Sequence, residues 1–200
     1  MREVTFQQLS DAVRELCIQA NTRLSSDAEA ALRDACAREP WPGAKGILSD
    51  LCANLDLARE TGLPICQDTG IVTVFAELGQ DVHITGGDFE SAVQEGVRRG
   101  YAEGYLRKSV VSDPLRRVNT GDNTPAAVCV RIVPGEHVKL TVSPKGAGSE
   151  NMCRVKMLTP AMGEAGVREF VLDTVRAAGG NPCPPIVVGV GIGGGFDSVA

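Results

Sequence analysis

Residues 63–71, LPICQDTGI, set a thiol, an amide, a carboxylate and a hydroxyl in consecutive positions and follow them with a glycine. Cys66 falls between a helix-stop pattern and a β-branched run, in a loop where a thiolate can be partly exposed. A second cysteine of this kind is Cys183, in NPCPP. Its flanking prolines fix the backbone and remove N–H donors, so the sulfur is presented on a rigid turn. Two rigidly held loop thiols beside Gln67, Asp68 and glycine-rich turns suit a metal or cluster site, and soft thiolates favour zinc or iron–sulfur.

Other stretches carry weaker signals. Residues 104–125 form a long polar segment in which Arg107, Arg116 and Arg117 could fork onto a carboxylate, although a solvated surface loop has the same composition. SPKGAGSEN, residues 143–151, offers small residues whose main-chain N–H groups could face an anion, or a plain turn before a helix; it lacks the G-K-[ST] order of a P-loop. GVGIGG, residues 189–194, fits the dinucleotide pattern G-x-G-x-x-G, but such a motif usually opens its domain, and the given residues stop before the helix and the acidic residue about 20 positions later that the fingerprint needs. His83 and His137 have no Ser or Cys partner by spacing, which speaks against a Cys–His hydrolase.

The totals narrow the class. A net charge of −5 with no basic run argues against a phosphate-backbone binder, so nucleic acid is not an expected partner. The amphipathic, charged N-terminus lacks a signal-peptide core, and no stretch nears the roughly 20 apolar residues of a membrane span. The expected location is the cytoplasm. Seven cysteines, odd in number and widely spaced, read there as thiols rather than a disulfide framework.

The elements that position these residues follow from periodicity. The first sixty residues read as three helices: residues 6–24, a second from a Ser26/Asp27 cap through Arg38, and a third from about Ala44 to Glu60 with a stop at Gly62 and Pro64. Cys17, Cys36 and Cys52 fall on the apolar faces and are expected in the core. Beyond Gly70 come strands IVTVFAEL and VHIT, then a helix from Asp88 or Phe89 to about Leu106 despite three internal glycines. AAVCVRIV and HVKLTVSP are expected to pair as a hairpin across PGE. GVREFVLDTVRAAGG reads as an amphipathic helix, PPIVVGVGIGGG as a buried strand entering a glycine turn, and FDSVA as the first turn of another helix, suggesting a longer native chain. The class is α+β, with N-terminal helices followed by a mixed sheet with packed helices, in one domain over residues 1–200 that is incomplete at its C-terminus.

LPICQDTGI, NTGDNTPA, PKGAGSENM and NPCPPIVVGVGIGG followed by FD, in this order, resemble the α subunit or N-terminal domain of the iron–sulfur hydro-lyases, class I fumarase and L(+)-tartrate dehydratase. The resemblance spans nearly the whole chain. It implies a [4Fe–4S] cluster held by three cysteines, two of which match Cys66 and Cys183; the third belongs beyond residue 200. It also implies that Gln67, Asp68, Arg107 and Gly148 contact a four-carbon dicarboxylate. Within that expectation Asp68 is the catalytic candidate, orienting the hydroxyl or assisting its proton transfer, while the main base belongs to a β subunit. An oligomer is expected.

Two departures from the family pattern stand out: Gly195 where a Thr commonly precedes Phe, and Cys153 where a small residue such as Ser is expected. The expected function is reversible hydration of fumarate to malate. The alternatives are an L(+)-tartrate dehydratase α subunit, or an inactive cluster-free fragment that pairs with other subunits; a dinucleotide-dependent enzyme is the least supported.

Overall fold

The computed structural model describes residues 1–199, in two units that divide between Lys145 and Gly146. In the first unit a four-residue strand, β1 (Arg2–Thr5), leads into helix α1 (Phe6–Thr22). A reciprocal cap starts that helix. The Thr5 hydroxyl accepts the Gln8 N–H at 3.1 Å, and the Gln8 side chain accepts the Thr5 N–H at 2.9 Å. Leu9, Val13 and Cys17 recur at helical spacing and are buried.

The buried face of α1 lies against α4 (Phe89–Glu103), and the glycines of α4 explain how closely. A Cβ on Gly96 would stand 2.6 Å from the Val13 Cβ, and one on Gly100 would stand 2.9 Å from the Cys17 Cβ. These glycines recur every fourth residue on one face, and their partners on α1 do likewise. The stripe admits the neighbouring helix, which is why α4 persists through residues that weaken isolated helices.

Between α1 and α4 come two helices, α2 (Ser26–Arg38) and α3 (Pro42–Thr61), and then two strands, β2 (Ile71–Gly79) and β3 (Val82–Thr85). Val72, Val74 and Ala76 of β2 face the helices and are buried, whereas Ile71, Phe75 and Glu77 face outward. With Val13, Cys17, Val93, Val97 and Tyr101 they make the main core. β1 pairs in parallel with β3 as a separate two-stranded sheet. That strand was not expected, because four residues ahead of a strong helix carry too little periodicity to declare themselves.

The larger sheet is mixed, as expected, but its order is β4–β2–β5, where β4 is Ala127–Val133 and β5 is Val138–Lys145. β2 runs parallel to β4 and antiparallel to β5. The expected hairpin is therefore corrected: its two arms flank β2 instead of pairing with each other. The connecting turn wraps the end of β2, where Gly79 donates its N–H to the His137 carbonyl at 2.9 Å and Gln80 to that of Val133 at 2.8 Å. A Cβ on Gly79 would lie 2.4 Å from the Gly135 oxygen, so only glycine fits there. The PGE signal encodes a reversal, and nothing local in it says that another strand separates the arms.

Cys17 is buried as expected, but Cys36 and Cys52 are only half-buried. Helix α2 buries no residue fully and packs mainly on α3.

The second unit holds a single-turn helix α5 (Ala147–Glu150), a 3-10 turn (Pro160–Met162), α6 (Gly163–Ala178) and a final turn α7 (Phe196–Val199). The helical start expected at FDSVA is present over its described residues; Ala200 lies outside them. The expected buried strand is absent. Residues 186–192 form no ladder, and Val187 is 96% exposed. An apolar β-branched run becomes a strand only beside another strand, and the described residues of this unit contain none. GVGIGG accordingly lacks the preceding strand that a dinucleotide fingerprint requires. Among the described residues no helix is long and apolar enough to cross a membrane.

Candidate functional site

Gly62, in the left-handed conformation at φ 70°, ends α3 and releases the chain into the loop of residues 63–70. Two bonds seat the start of this loop. Ile65 donates its N–H to the Asn21 carbonyl at 2.9 Å, and its own carbonyl accepts from the Asn54 side chain at 2.8 Å. The exposed Cys66 and Gln67 follow directly. The Asp68 N–H donates to the Cys66 sulfur at 3.4 Å, and the Cys66 thiol lies 3.5 Å from the Gln67 side-chain amide oxygen Oε1, positioned to donate to it. Asp68 accepts the Gly70 N–H at 3.2 Å, closing an Asx-type turn.

Beneath the exposed residues lies a buried polar frame. The Thr69 hydroxyl donates to the Arg107 carbonyl at 2.9 Å. The Tyr101 hydroxyl, at the inner end of α4, donates to the Thr69 carbonyl at 2.6 Å. Burial is the main cause pushing the Tyr101 hydroxyl well above the ordinary phenol range, which keeps it protonated and a donor. Asn123, fully buried, accepts the N–H groups of Ser109 and Val110 at 2.6 and 3.2 Å and donates to the Gly70 carbonyl at 3.2 Å. Gly70 itself adopts φ 74°, and a Cβ there would collide with the Lys145 backbone at 2.5 Å. Thr69, Tyr101 and Asn123 thus bind the Cys66 loop to residues 105–125.

Asp122 anchors the same segment from outside. It accepts from the Thr124 N–H and hydroxyl and pairs with Arg98 of α4 at 3.1 Å. Partial burial alone would raise its pKa, but the Thr124 bonds and the Arg98 guanidinium prevail and hold it at about 2.

Of the sequence-identified residues, Cys66, Gln67 and Asp68 share one loop, and Arg107 is joined to it through the Thr69 hydrogen bond. Arg116 and Arg117 are exposed on an Asp113-capped turn instead, where Asp113 accepts the Arg116 N–H at 2.7 Å. In the second unit, Gly148 and Cys183 meet through Asn181. A Cβ on Gly148 would stand 2.5 Å from the Asn181 oxygen, and that oxygen lies 4.0 Å from the Cys183 sulfur. Cys183 is exposed and adopts φ 54°, and Cys153 is exposed as well. Among the described residues no group of three or more His, Cys, Asp or Glu could hold a metal ion.

Sequence reasoning missed Tyr101, Asn123 and Asn54. Tyr101 left a signal in being an amphipathic aromatic on an otherwise apolar helix face, whose hydroxyl needs a buried partner. Asn54 left none.

The family model described as Fumarate hydratase (Fumerase) matches residues 10–200. The Methanocaldococcus jannaschii protein named "Putative L(+)-tartrate dehydratase subunit alpha" is 40% identical over 199 residues, covering 95% of this chain and 68% of that protein. Fumarate hydratase class I, aerobic, of Salmonella typhimurium is 36% identical over 166 residues, covering 82% of this chain and 28% of the relative. L(+)-tartrate dehydratase subunit alpha of Escherichia coli (strain UTI89) is 29% identical over 203 residues, covering all of this chain and 66% of the relative. The chain thus spans about two thirds of the dehydratase subunits and under a third of the fumarase. It belongs to the fumarate hydratase family of hydro-lyases.

Proposed function

We propose that this chain is the α-type part of a hydro-lyase that hydrates fumarate to malate reversibly. The observation that carries this reading is the buried tie between the Cys66–Asp68 loop and Arg107. It fixes the main chain of Arg107 to the loop that carries a thiol, an amide and a carboxylate, and with the Arg107 guanidinium these are the groups needed to seat a dicarboxylate beside a metal centre. A second reading, L(+)-tartrate dehydratase α subunit, is favoured by the two dehydratase relatives matched over about two thirds of their length.

The family resemblance implies a [4Fe–4S] cluster, and the donors present fit one in type. Cys66 and Cys183 are exposed free thiols on turns, and the Asp68 N–H is directed at the Cys66 sulfur. We assign these two residues as cluster ligands; the third ligand is not among the described residues. When bound, the cluster supplies a Lewis-acidic iron with a position open to substrate oxygen.

The chain's own residues then do the rest. Arg107 grips one substrate carboxylate with its guanidinium fork, and Gln67 hydrogen-bonds the same ligand. The Gly148 main-chain N–H approaches where a side chain would block it. Asp68 orients the hydroxyl, or the incoming water, and shuttles its proton. The base that takes the proton from the adjacent carbon belongs to a β subunit, and the working assembly is a cytoplasmic oligomer.

The test is an anaerobic assay of the native protein with its β partner against fumarate and L(+)-tartrate separately. Malate formation supports the first reading, and oxaloacetate from tartrate alone supports the second. Turnover of neither by iron-loaded protein overturns both.

A further inference from the structure

Helices α2 and α3 lie antiparallel, and charge fixes their register. Arg33 reaches Asp56 at 2.6 Å, and Glu29 pairs with Arg59. Residues 29, 33 and 36 share one face of α2, and residues 59, 56 and 52 descend the matching face of α3. The next rung of this ladder sets Cys36 against Cys52. Both thiols are free and half-buried. The Arg33–Asp56 and Glu29–Arg59 pairs set this register, and in keeping with it the Cys52 thiol is pushed above the ordinary range first by burial and next by Cys36. Neither residue belongs to the site described above.

We propose that Cys36 and Cys52 form a reversible dithiol–disulfide couple that staples α2 to α3 when the protein meets a peroxide or a small-molecule disulfide. With hydrogen peroxide, one thiolate attacks an oxygen and becomes a sulfenic acid, releasing water. The second thiol displaces the sulfenic oxygen as another water, so two thiols yield one S–S bond and the peroxide takes both electrons. With a small disulfide, a mixed disulfide forms first and the second thiol expels the remaining half.

The location gives the staple something to hold. Helix α2 buries no residue fully and relies on surface ion pairs, which contribute little by themselves. Two residues beyond Cys52, Asn54 holds the Ile65 carbonyl immediately before Cys66. Oxidation therefore secures the helix that supports the Cys66 loop. Because the Cys52 thiol is raised, little thiolate is present near neutral pH, and the couple responds slowly to sustained oxidant.

The test is a peptide map of the folded chain after treatment with hydrogen peroxide or oxidised glutathione. Trypsin should release residues 34–38, DACAR, joined to residues 46–59, GILSDLCANLDLAR. The linked pair should vanish on reduction and be absent from Cys36→Ser and Cys52→Ser variants whose circular dichroism is unchanged. A trivalent arsenical, which bridges adjacent thiols, should bind these two residues in the unmodified chain and lose that site in either variant. Oxidation of other cysteines without this linked peptide overturns the proposal, as does its appearance only in urea.

Discussion

The hydroxyl of Thr69 and the main-chain carbonyl of Arg107 are joined at 2.9 Å, although 38 residues separate them in the chain. Thr69 is 3% exposed, so this bond forms away from water. It ties the loop that carries Cys66 to the segment that carries the substrate-binding candidate. Thr69→Val keeps the shape and removes the donor, leaving a carbonyl unsatisfied. Urea unfolding should show a loss of about 1–2 kcal/mol. In the active assembly the KM for dicarboxylate should rise about five-fold, with kcat changing less, because Arg107 is displaced and not removed.

Asn123 makes three hydrogen bonds from a fully buried position at φ 63°. Asn123→Ala strands the N–H groups of Ser109 and Val110, leaves the Gly70 carbonyl with the Tyr101 hydroxyl alone at 3.2 Å, and places a residue other than Asn or Gly in the left-handed region. The expected cost is roughly 3–5 kcal/mol, enough to leave a marginal domain largely unfolded. Thermal unfolding followed by circular dichroism reads it directly.

Two glycine-to-alanine changes should move stability in opposite directions. At Gly96 the new methyl would meet the Val13 Cβ at 2.6 Å and the Ser10 carbonyl at 2.7 Å, so α1 and α4 must separate, at a cost of about 1–3 kcal/mol. At Gly46, inside α3, nothing lies within 4 Å, and alanine should stabilise by about 0.5–1 kcal/mol through helix propensity. Equal effects at the two positions would contradict the close crossing of α1 and α4.

Asp122 links stability to acid. Its folded pKa of about 2 lies below the ordinary value of 3.8, so its contribution is complete above about pH 4 and is lost as pH falls toward 2. With a side chain 30% exposed, that contribution is about 1–2 kcal/mol. Asp122→Asn should lower stability at pH 7 by that amount and flatten the decline between pH 4 and 2. Urea midpoints measured across this range, for both proteins, provide the comparison.

The sequence discloses what is periodic and local. The helices around Leu9, Leu55 and Val97, the strand at Val74 and the loop at Cys66 all declare themselves through spacing and stop signals. It does not disclose order in space. That β2 lies between β4 and β5 depends on main-chain bonds at Gly79 and Gln80 whose partners are more than fifty residues away. At the site, the exposed residues were legible because their types are chemical, whereas the frame beneath them was not. Tyr101, Asn123 and Asn54 act through single long-range bonds, and no pattern in a linear chain announces such partners. The run at residues 186–192 shows the opposite failure, since its β propensity is strong and the described residues of its unit supply no neighbouring strand to realise it.

The central claim is that Cys66 and Cys183 are thiolate ligands of an iron–sulfur centre. Iron and acid-labile sulfide should be measured in the native protein purified without oxygen, beside its Cys66→Ser and Cys183→Ser variants, with circular dichroism confirming that all three are folded. The account predicts stoichiometric iron and sulfide in the native protein and a large loss of both in each variant. Iron and sulfide retained in full by both variants, or absent from the folded native protein, would contradict it.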